Sequence, residues 1–578
     1  MINLYRLFLE KALDYGEKEA IRYRGQSFSY REVDERIRQI SAFLRNNHIS
    51  KNRYVIVYME NSVEAVCTLM AAAASGLVAV PLSKKTPGKR LLDIYVFYGV
   101  DAVLCDGKTE LPAVCRMLDV SKADAATEGT ILDNDDFICI FTSSSTGNPK
   151  GCMLKHDGIY NSICGKIDVL KLTPKDVIMQ SMNIGFVASL WQMFAPLLLG
   201  GTLCIATDQE CTNPWLLFQA AKEQRVTVMA VVPGLLKLYC ESAKGKRQKI
   251  ELTELRILVT TGQMITSGLV REYYSMYHIP LVNAYGQSEC SDDTFHYRIP
   301  EDFENDFVPI GKPVHNFKVT IDTEEGNAAG ELWIAGIGVI EGYLEEELLT
   351  AEKFVTKDNE RYFRTGDLVR ENEDGNYVFL GRLDNMIKVS GNRVYPEEVE
   401  NYLSGMPGIG ETALLKSEKG AVESLVLVYS GRESMEEKIR EELSQRFPPY
   451  MWPATYRYVE KMPHNLSGKV DRKALKEIFA KEHSAGVPVS QPRAEHRVEN
   501  LLKIIKNYIE LESEVVLADG WEKRSLVEND IDSMLFMRLA IELESQVDGL
   551  FSDEQLRMNC YLDMEDLAEQ ALKLHKAI

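Results

Sequence analysis

Paired cysteines are missing from this sequence. Eleven are scattered through 578 residues with no CxxC. That excludes a disulfide framework and a thiolate zinc site, and it points to a reducing compartment, the cytoplasm. A long unbroken apolar run is missing too. The longest uncharged stretch, Ala65 to Leu82, is alanine-rich, is broken by Ser75-Gly76 and contains Pro81. It predicts a buried helix followed by a buried strand rather than a membrane span. Positive charge is in deficit: 66 Lys and Arg against 86 Asp and Glu leave a net charge of −20. Such a chain repels phosphate backbones and anionic lipid, so neither nucleic acid nor a membrane is an expected partner. Arg6, Glu10 and Lys11 interrupt Met1 to Ala20, and no secretory leader is expected. Internal repeats and low-complexity tracts are absent. No Gly-Lys-Ser or Gly-Lys-Thr stands at Walker spacing, which excludes a P-loop nucleotidase.

What is present organises the chain into several domains, because 578 residues exceed one hydrophobic core. From about residue 20 to 380, helical patterns alternate with short β-branched runs such as Tyr54–Tyr58, Ala102–Cys105, Phe137–Phe141, Thr202–Ala206, Val226–Val232 and Arg256–Val259. The alternation predicts an α/β architecture of layered, mostly parallel sheets over residues 1–381. A smaller α+β unit is predicted for 382–481. Residues 482–493, rich in Pro, Ser, Gly and Val, read as a linker. Beyond them, 494–578 read as all-α: Leu501, Leu502, Ile505, Tyr508 and Ile509 recur at helical spacing.

The first segment with chemistry is Phe141-Thr-Ser-Ser-Ser-Thr-Gly-Asn-Pro-Lys-Gly151, which follows a predicted strand. Thr142, Ser143, Ser145 and Thr146 offer hydroxyls, Gly147 permits an unusual turn, and Lys150 adds positive charge. That combination suits a loop around triphosphate oxygens, although a solvated Ser/Thr loop has the same composition. The segment resembles the phosphate loop of the acyl-adenylate-forming superfamily, which includes acyl-CoA ligases, luciferases and nonribosomal-peptide adenylation domains. Ser144 stands where that family usually has glycine. The remaining family motifs follow in order: Asn283-Ala-Tyr-Gly-Gln-Ser-Glu289, Gly330-Glu-Leu-Trp-Ile-Ala-Gly336, Tyr362-Phe-Arg-Thr-Gly-Asp-Leu368, Gly381-Arg-Leu-Asp384 continuing through Lys388 and Gly391 to Glu400, and Asn465-Leu-Ser-Gly-Lys-Val-Asp-Arg472. The resemblance covers roughly residues 10 to 480.

It implies an ATP-dependent ligase that converts a small carboxylic acid to an acyl-adenylate. Thr142 to Lys150 would hold the ATP phosphates, and Asn283 and Tyr285 would flank the adenine. Glu289 would bind Mg²⁺. Asp367 would accept the ribose hydroxyls, with Arg382 nearby. Lys469 would bridge the substrate carboxylate and the α-phosphate. Asp384 matches the hinge about which the family's small domain rotates. Toward the C-terminus, Asn529-Asp-Ile-Asp-Ser-Met-Leu535 resembles the start of a four-helix-type carrier domain whose serine, here Ser533, bears 4′-phosphopantetheine. Carriers commonly have glycine where Ile531 stands, and an unmodified Asp/Ser helix cap would read alike. A phosphopantetheinyl transferase is then an implied partner. A separate condensing or tailoring enzyme is another, because no HHxxxDG condensation motif and no GxSxG thioesterase motif is present. A free-standing acyl-CoA ligase with a helical tail, and a noncatalytic descendant of the family, are the competing readings.

Phe186 to Phe194 matches the family's pocket helix. Members that activate α-amino acids carry aspartate after the Phe, where this chain has Val187. An ammonium against valine would be desolvated without a partner, at a cost of about several kcal/mol, so a standard α-amino acid is disfavoured. The pocket positions that align are Val187, Ala188, Trp191, Ala230, Val259, Thr261, Ala284, Asp292 and Asp293. If either aspartate faces the pocket, a β- or ω-amino acid fits. If both face solvent, a keto, hydroxy or aryl acid fits better.

Overall fold

The computed structural model describes residues 2–107, 111–124, 130–142, 150–323, 328–389, 392–416, 424–464 and 470–472, together with single residues and short runs as far as 568. The chain falls into two units, Met1–Ala474 and Leu475–Ile578.

Two mixed sheets form most of the first unit. One has nine strands in the order Lys312–Pro313, Asp292–Ile299, Leu281–Gln287, Ile257–Thr260, Val228–Val231, Val177–Gln180, Thr202–Ile205, Glu19–Tyr23 and Gln26–Ser29. Its centre is parallel, and its two edges close antiparallel. The other has seven strands: Tyr343–Leu344, Lys150–Lys155, Asp136–Thr142, Val78–Leu82, Tyr54–Tyr58, Ala102–Cys105 and Met117–Asp119. A single apolar core draws on both, joining Ile21, Ile178 and Leu203 of the first sheet to Val55, Val57 and Ile138 of the second.

Helices carry that core. Val63–Ala74 starts where the Ser62 side chain accepts from the Ala65 amide, and every residue from Ala65 to Ala74 is buried. That explains its nearly charge-free sequence, since a helix apolar on all sides belongs in the interior. Ala188–Leu199 is likewise buried from Ser189 to Leu198, and it ends at Gly200 with φ +85°. The expected helix and strand within Ala65–Leu82 are both found. Among the described residues, no helix is long and apolar enough to cross a membrane.

The sheets are less parallel than the alternating pattern predicts. A third sheet, wholly antiparallel, orders Phe317–Asp322, Ala329–Gly336, Glu360–Glu371 and Phe354–Lys357, with Tyr377–Arg382 also on Glu360–Glu371. Its segments succeed one another with little helix between them, so hairpins replace crossovers. The α+β region after it packs Pro396–Ser404 and Glu436–Arg446 on the sheet Ile409–Lys416, Leu425–Gly431 and Thr455–Tyr458, around Val399, Leu403, Leu427 and Ile439. In the second unit, Ile505, Ile509, Leu539, Leu543, Met564 and Leu567 are buried. Most of the expected carrier bundle, Ser533 included, lies outside the described residues.

Candidate active site

A cavity of about 370 Å³ opens where the nine-stranded and antiparallel sheets meet. Gly262, Met264, Asn283, Ala284, Tyr285, Gln287, Ile310, Asp367, Phe379 and Arg382 line it. The strand Leu281–Gln287 supplies one wall, and Glu360–Glu371 paired to Tyr377–Arg382 supplies the other, with Asp367 opposite Arg382 in register.

Asp367 is the electrostatic centre. Its Oδ1 accepts from Arg382 Nη1 at 2.6 Å. Its Oδ2 accepts from Gln287 Nε2 at 2.7 Å and from the Tyr285 hydroxyl. Burial pushes this carboxyl up, and Arg382 and the two hydrogen bonds pull it back. Arg382 is held in turn: its Nη1 also donates to the Thr365 carbonyl at 2.9 Å, and its Nη2 reaches Asp384 at 3.2 Å. Burial works against the Arg382 charge, but Asp367 and Asp384 overcome it and the pKa rises. A polar anchor flanked by Tyr285 and Phe379, whose rings lie 6.4 Å apart, suits a sugar hydroxyl carrying a flat base. Asn283 also lines this cleft, and its side-chain amide donates to the Pro309 carbonyl at 2.8 Å.

The predicted phosphate loop lies at the end of the hairpin Asp136–Thr142 and Lys150–Lys155, with Thr142 opposite Lys150. Residues 143–149, among them Ser143, Ser145, Thr146 and Gly147, fall outside the described residues, as does the Thr142 side chain. The Lys150 ammonium stands 5.3 Å from the centre of the Tyr343 ring. Tyr343 pairs backbone to backbone with Cys152 and donates its hydroxyl to Glu289 Oε1 at 2.7 Å. One oxygen of Glu289 is thereby fixed, which presents the other to a hard cation. No group of three or more His, Cys, Asp or Glu suited to a metal occurs among the described residues. Glu289 therefore fits Mg²⁺, an ion that keeps waters and leans on substrate phosphates.

Lys469 lies outside the described residues, but both ends of its loop are pinned. His464 and Val470 form an antiparallel bridge. Arg472 donates to both oxygens of Glu400, at 2.8 and 2.7 Å, and to the Leu414 carbonyl at 2.9 Å. The predicted hinge residue, Asp384, is exposed in the short turn Leu383–Asn385.

Adjacent to the nucleotide cleft, the predicted acyl-pocket positions come together. Val187 caps the helix Ala188–Leu199, which carries Trp191 inward. Ala230 pairs with Val259, and Val259 with Val282, two residues before Ala284. Thr261 donates its hydroxyl to Asp293 Oδ1 at 2.5 Å. Asp292 and Asp293 are 3% and 4% exposed, so neither faces solvent. Both meet the ammonium of Lys166, at 2.5 and 3.2 Å.

Sequence reasoning missed Lys166, His296, Gln287, Phe379 and Tyr343. Gln287 sat inside a quoted motif without a role. Lys166 left one visible signal: it replaces an apolar residue on the inward stripe Ile159, Ile163, Leu170 of its helix. A second cleft of about 770 Å³, lined by Arg24, Glu60, Lys85, Asp208, Glu210 and Glu223 among others, holds no motif residue. It lacks the buried ionic constellation that distinguishes the smaller one.

The sequence profile of the AMP-binding enzymes matches residues 8–344. A mycosubtilin synthase of Bacillus subtilis is 30% identical over 516 residues, 85% of this chain and 20% of that protein. Zwittermicin A synthase ZmaJ of Bacillus cereus is 28% identical over 507 residues, covering 83% of this chain and 96% of that one. The chain thus spans about a fifth of the first relative and nearly all of the second. Among solved structures, Klebsiella oxytoca NpsA in complex with 3-hydroxyanthranilyl-AMSN superposes with a TM-score of 0.75 at 22% identity, over 83% of this chain and 100% of that one.

Proposed function

This chain belongs to the AMP-binding enzyme family, whose members are acid-adenylating ligases, and we propose that it activates a small acid as its acyl-adenylate and passes the acyl group to a thiol on its own Ser533. The observation that carries this reading is the cleft built on Asp367, with Tyr285, Gln287 and Arg382 in hydrogen-bond contact with it, beside a second, mostly apolar pocket.

In the first step the substrate carboxylate oxygen attacks the α-phosphorus of ATP. A new P–O bond forms to the acid, the bond to the β-phosphate oxygen breaks, and pyrophosphate leaves with the electron pair. Asp367 fixes the ribose, and Tyr285 and Phe379 flank the base, so the α-phosphate is presented in a defined position. Carboxylate and phosphate repel each other. Lys469 places positive charge between them where charge builds in the transition state. Lys150 and the hydroxyls of residues 142–146 act on the departing phosphates. Mg²⁺ held near Glu289 would supply further positive charge to those oxygens.

In the second step the adenylate carbonyl accepts a thiolate and AMP departs. A phosphopantetheine on Ser533 would supply that thiol, which leaves the acid as a thioester for a separate condensing or tailoring enzyme. The acid is not a standard α-amino acid, because the family's α-ammonium position is Val187 and carries no charge to meet one.

The test is acid-dependent pyrophosphate exchange, followed by mass analysis after treatment with a phosphopantetheinyl transferase. Wild type is expected to exchange, gain one phosphopantetheine, and then gain the acyl mass. Ser533→Ala is expected to exchange at the wild-type rate and gain neither. Loading that survives in Ser533→Ala would overturn the carrier reading, and an acyl-CoA ligase with a helical tail would replace it.

A further inference from the structure

The buried ion cluster beside the acyl pocket does not balance its charge. Lys166 is fully buried on the helix His156–Leu170, and its ammonium meets Asp292 at 2.5 Å and Asp293 at 3.2 Å. Two carboxylates and one ammonium leave one negative charge over when all three are ionised. Hydrogen bonding is incomplete as well. Asp293 Oδ1 takes the Thr261 hydroxyl, but Asp293 Oδ2 lies outside hydrogen-bond geometry from Lys166, and no other donor reaches it. His296, 8% exposed, has no partner on either ring nitrogen. The Trp191 ring, centred 5.3 Å from the Lys166 ammonium, walls the cluster. Uncompensated buried charge and unmade buried hydrogen bonds each destabilise a fold.

The backbone is strained at the same point. Asp292 has φ +131° and Ser291 φ +62°, in regions a side chain rarely occupies. The strand carrying these residues also fixes where the cluster lies. Asp293 pairs with Gly286, and His296 with Ala284, and both Gly286 and Ala284 line the nucleotide cleft. The unsatisfied groups therefore stand one strand from the nucleotide wall, among the pocket positions Thr261 and Trp191.

Resting on the adenylation reading above, we propose that Lys166, Asp292, Asp293 and His296 form a distal subsite that selects acids bearing a primary amine remote from the carboxylate. Lys166 holds Asp292, which leaves the outer oxygen of Asp293 to a second cation. A primary ammonium carries three donors. It neutralises the surplus charge, donates to Asp293 Oδ2, and has a neutral ring nitrogen of His296 within the same cluster. An α-amino acid brings its ammonium to Val187, at the opposite end. A neutral acid leaves the surplus charge in place. Lys166 is thus a specificity-determining residue that sets the number of cations the pocket accepts.

The experiment is pyrophosphate exchange by the full chain across a matched set. The set holds ω-amino acids of three to six carbons, their α-amino isomers, the unsubstituted and hydroxy acids of equal length, and amino- and hydroxybenzoic acids. Wild type should favour one ω-amino acid over its unsubstituted counterpart at least tenfold in kcat/KM. Asp293→Asn should raise KM for that amine about tenfold or more while leaving the unsubstituted acid within threefold. Asp292→Asn supplies an independent variant: Lys166 then pairs with Asp293, the surplus disappears, and the preference should fall although Asp293 is intact. A wild type that prefers a neutral or aryl acid, or two Asn variants that keep the amine preference, would overturn the subsite. Exchange with no acid at all would overturn the adenylation reading and the subsite with it.

Discussion

Charge surplus in the acyl pocket should make substrate choice depend on pH. Burial pushes Asp292 up to about 7, against the pull of Lys166 and with a further push from Asp293. The other groups facing it do not change charge near neutrality. Burial works against the Lys166 charge, but the two aspartates overcome it and its pKa rises. His296 is pushed down to about 3, first by burial and then by Lys166. Ser162, Thr261 and Trp191 complete the surroundings and do not titrate in this range. Below pH 7, then, Asp292 is protonated, and Lys166 and Asp293 cancel. A substrate ammonium entering that state brings an unbalanced positive charge. Above pH 7 Asp292 ionises and the ammonium balances the cluster. An amine of ordinary pKa stays charged throughout. With a midpoint of about 7, the ionised fraction rises from about 0.09 at pH 6 to about 0.91 at pH 8, about tenfold. The assay is kcat/KM for the preferred ω-amino acid divided by kcat/KM for the unsubstituted acid of equal length, measured by exchange from pH 6 to 8. The ratio cancels the titration of ATP, Lys469 and the phosphate loop, which act on both acids alike. It should rise about tenfold with a midpoint near 7, and the rise should vanish in Asp292→Asn. A ratio that is flat, or that falls with pH, would refute the reasoning.

Two further outcomes follow from the nucleotide side. Lys469→Ala should slow adenylate formation about 100- to 1,000-fold, as loss of one electrostatic stabiliser does. Transfer from a supplied acyl-adenylate should change far less, and equal damage to both half-reactions would remove Lys469 from its assigned role. Asp367→Asn should raise the KM for ATP about 10- to 100-fold, from loss of one charge-assisted hydrogen bond worth about 1.5–3 kcal/mol, with the KM for the acid nearly unchanged. Unchanged ATP saturation would show that the ribose binds elsewhere.

The parts of this molecule that were legible in its sequence are those set by local pattern. Tyr54–Tyr58 and Ala102–Cys105 are strands at the predicted residues, because a run of β-branched and apolar side chains between polar turns has few other conformations available. Asp367 and Arg382, 15 positions apart, were named from motifs, and the structure sets them opposite each other across a strand pair. The antiparallel sheet from Phe317 to Arg382 was not legible, because a half-buried strand reads the same whichever way its neighbour runs. The partners of Asp292 and Asp293 were hidden for another reason. Lys166 lies 126 positions before Asp292, and a lysine in a helix is ordinarily solvated. Only its place on the stripe of Ile159, Ile163 and Leu170 distinguishes it. Glu289 was expected to bind a metal, but the Tyr343 hydroxyl that orients it comes from 54 residues away and carried no signal of its own.

The bulge between Tyr285 and Gly286 bears on how this enzyme could be re-engineered. A Cβ on Gly286 would come within 2.1 Å of the Asp292 carbonyl and 2.4 Å of the Asp293 Cα. The ribbon that holds Tyr285 and Gln287 against Asp367 is therefore in direct backbone contact with the ribbon that holds the two acyl-pocket aspartates. Substitutions made at Asp292 or Asp293 to change the acid will be transmitted through that contact to the adenosine wall, and libraries built there should show losses in ATP saturation that track no property of the new acid. Val187, Ala188 and Trp191 stand on a helix that shares no hydrogen-bonded strand with Tyr285 or Asp367. Diversity placed on that helix leaves the nucleotide half of the machine alone, which makes it the better place to begin a change of substrate.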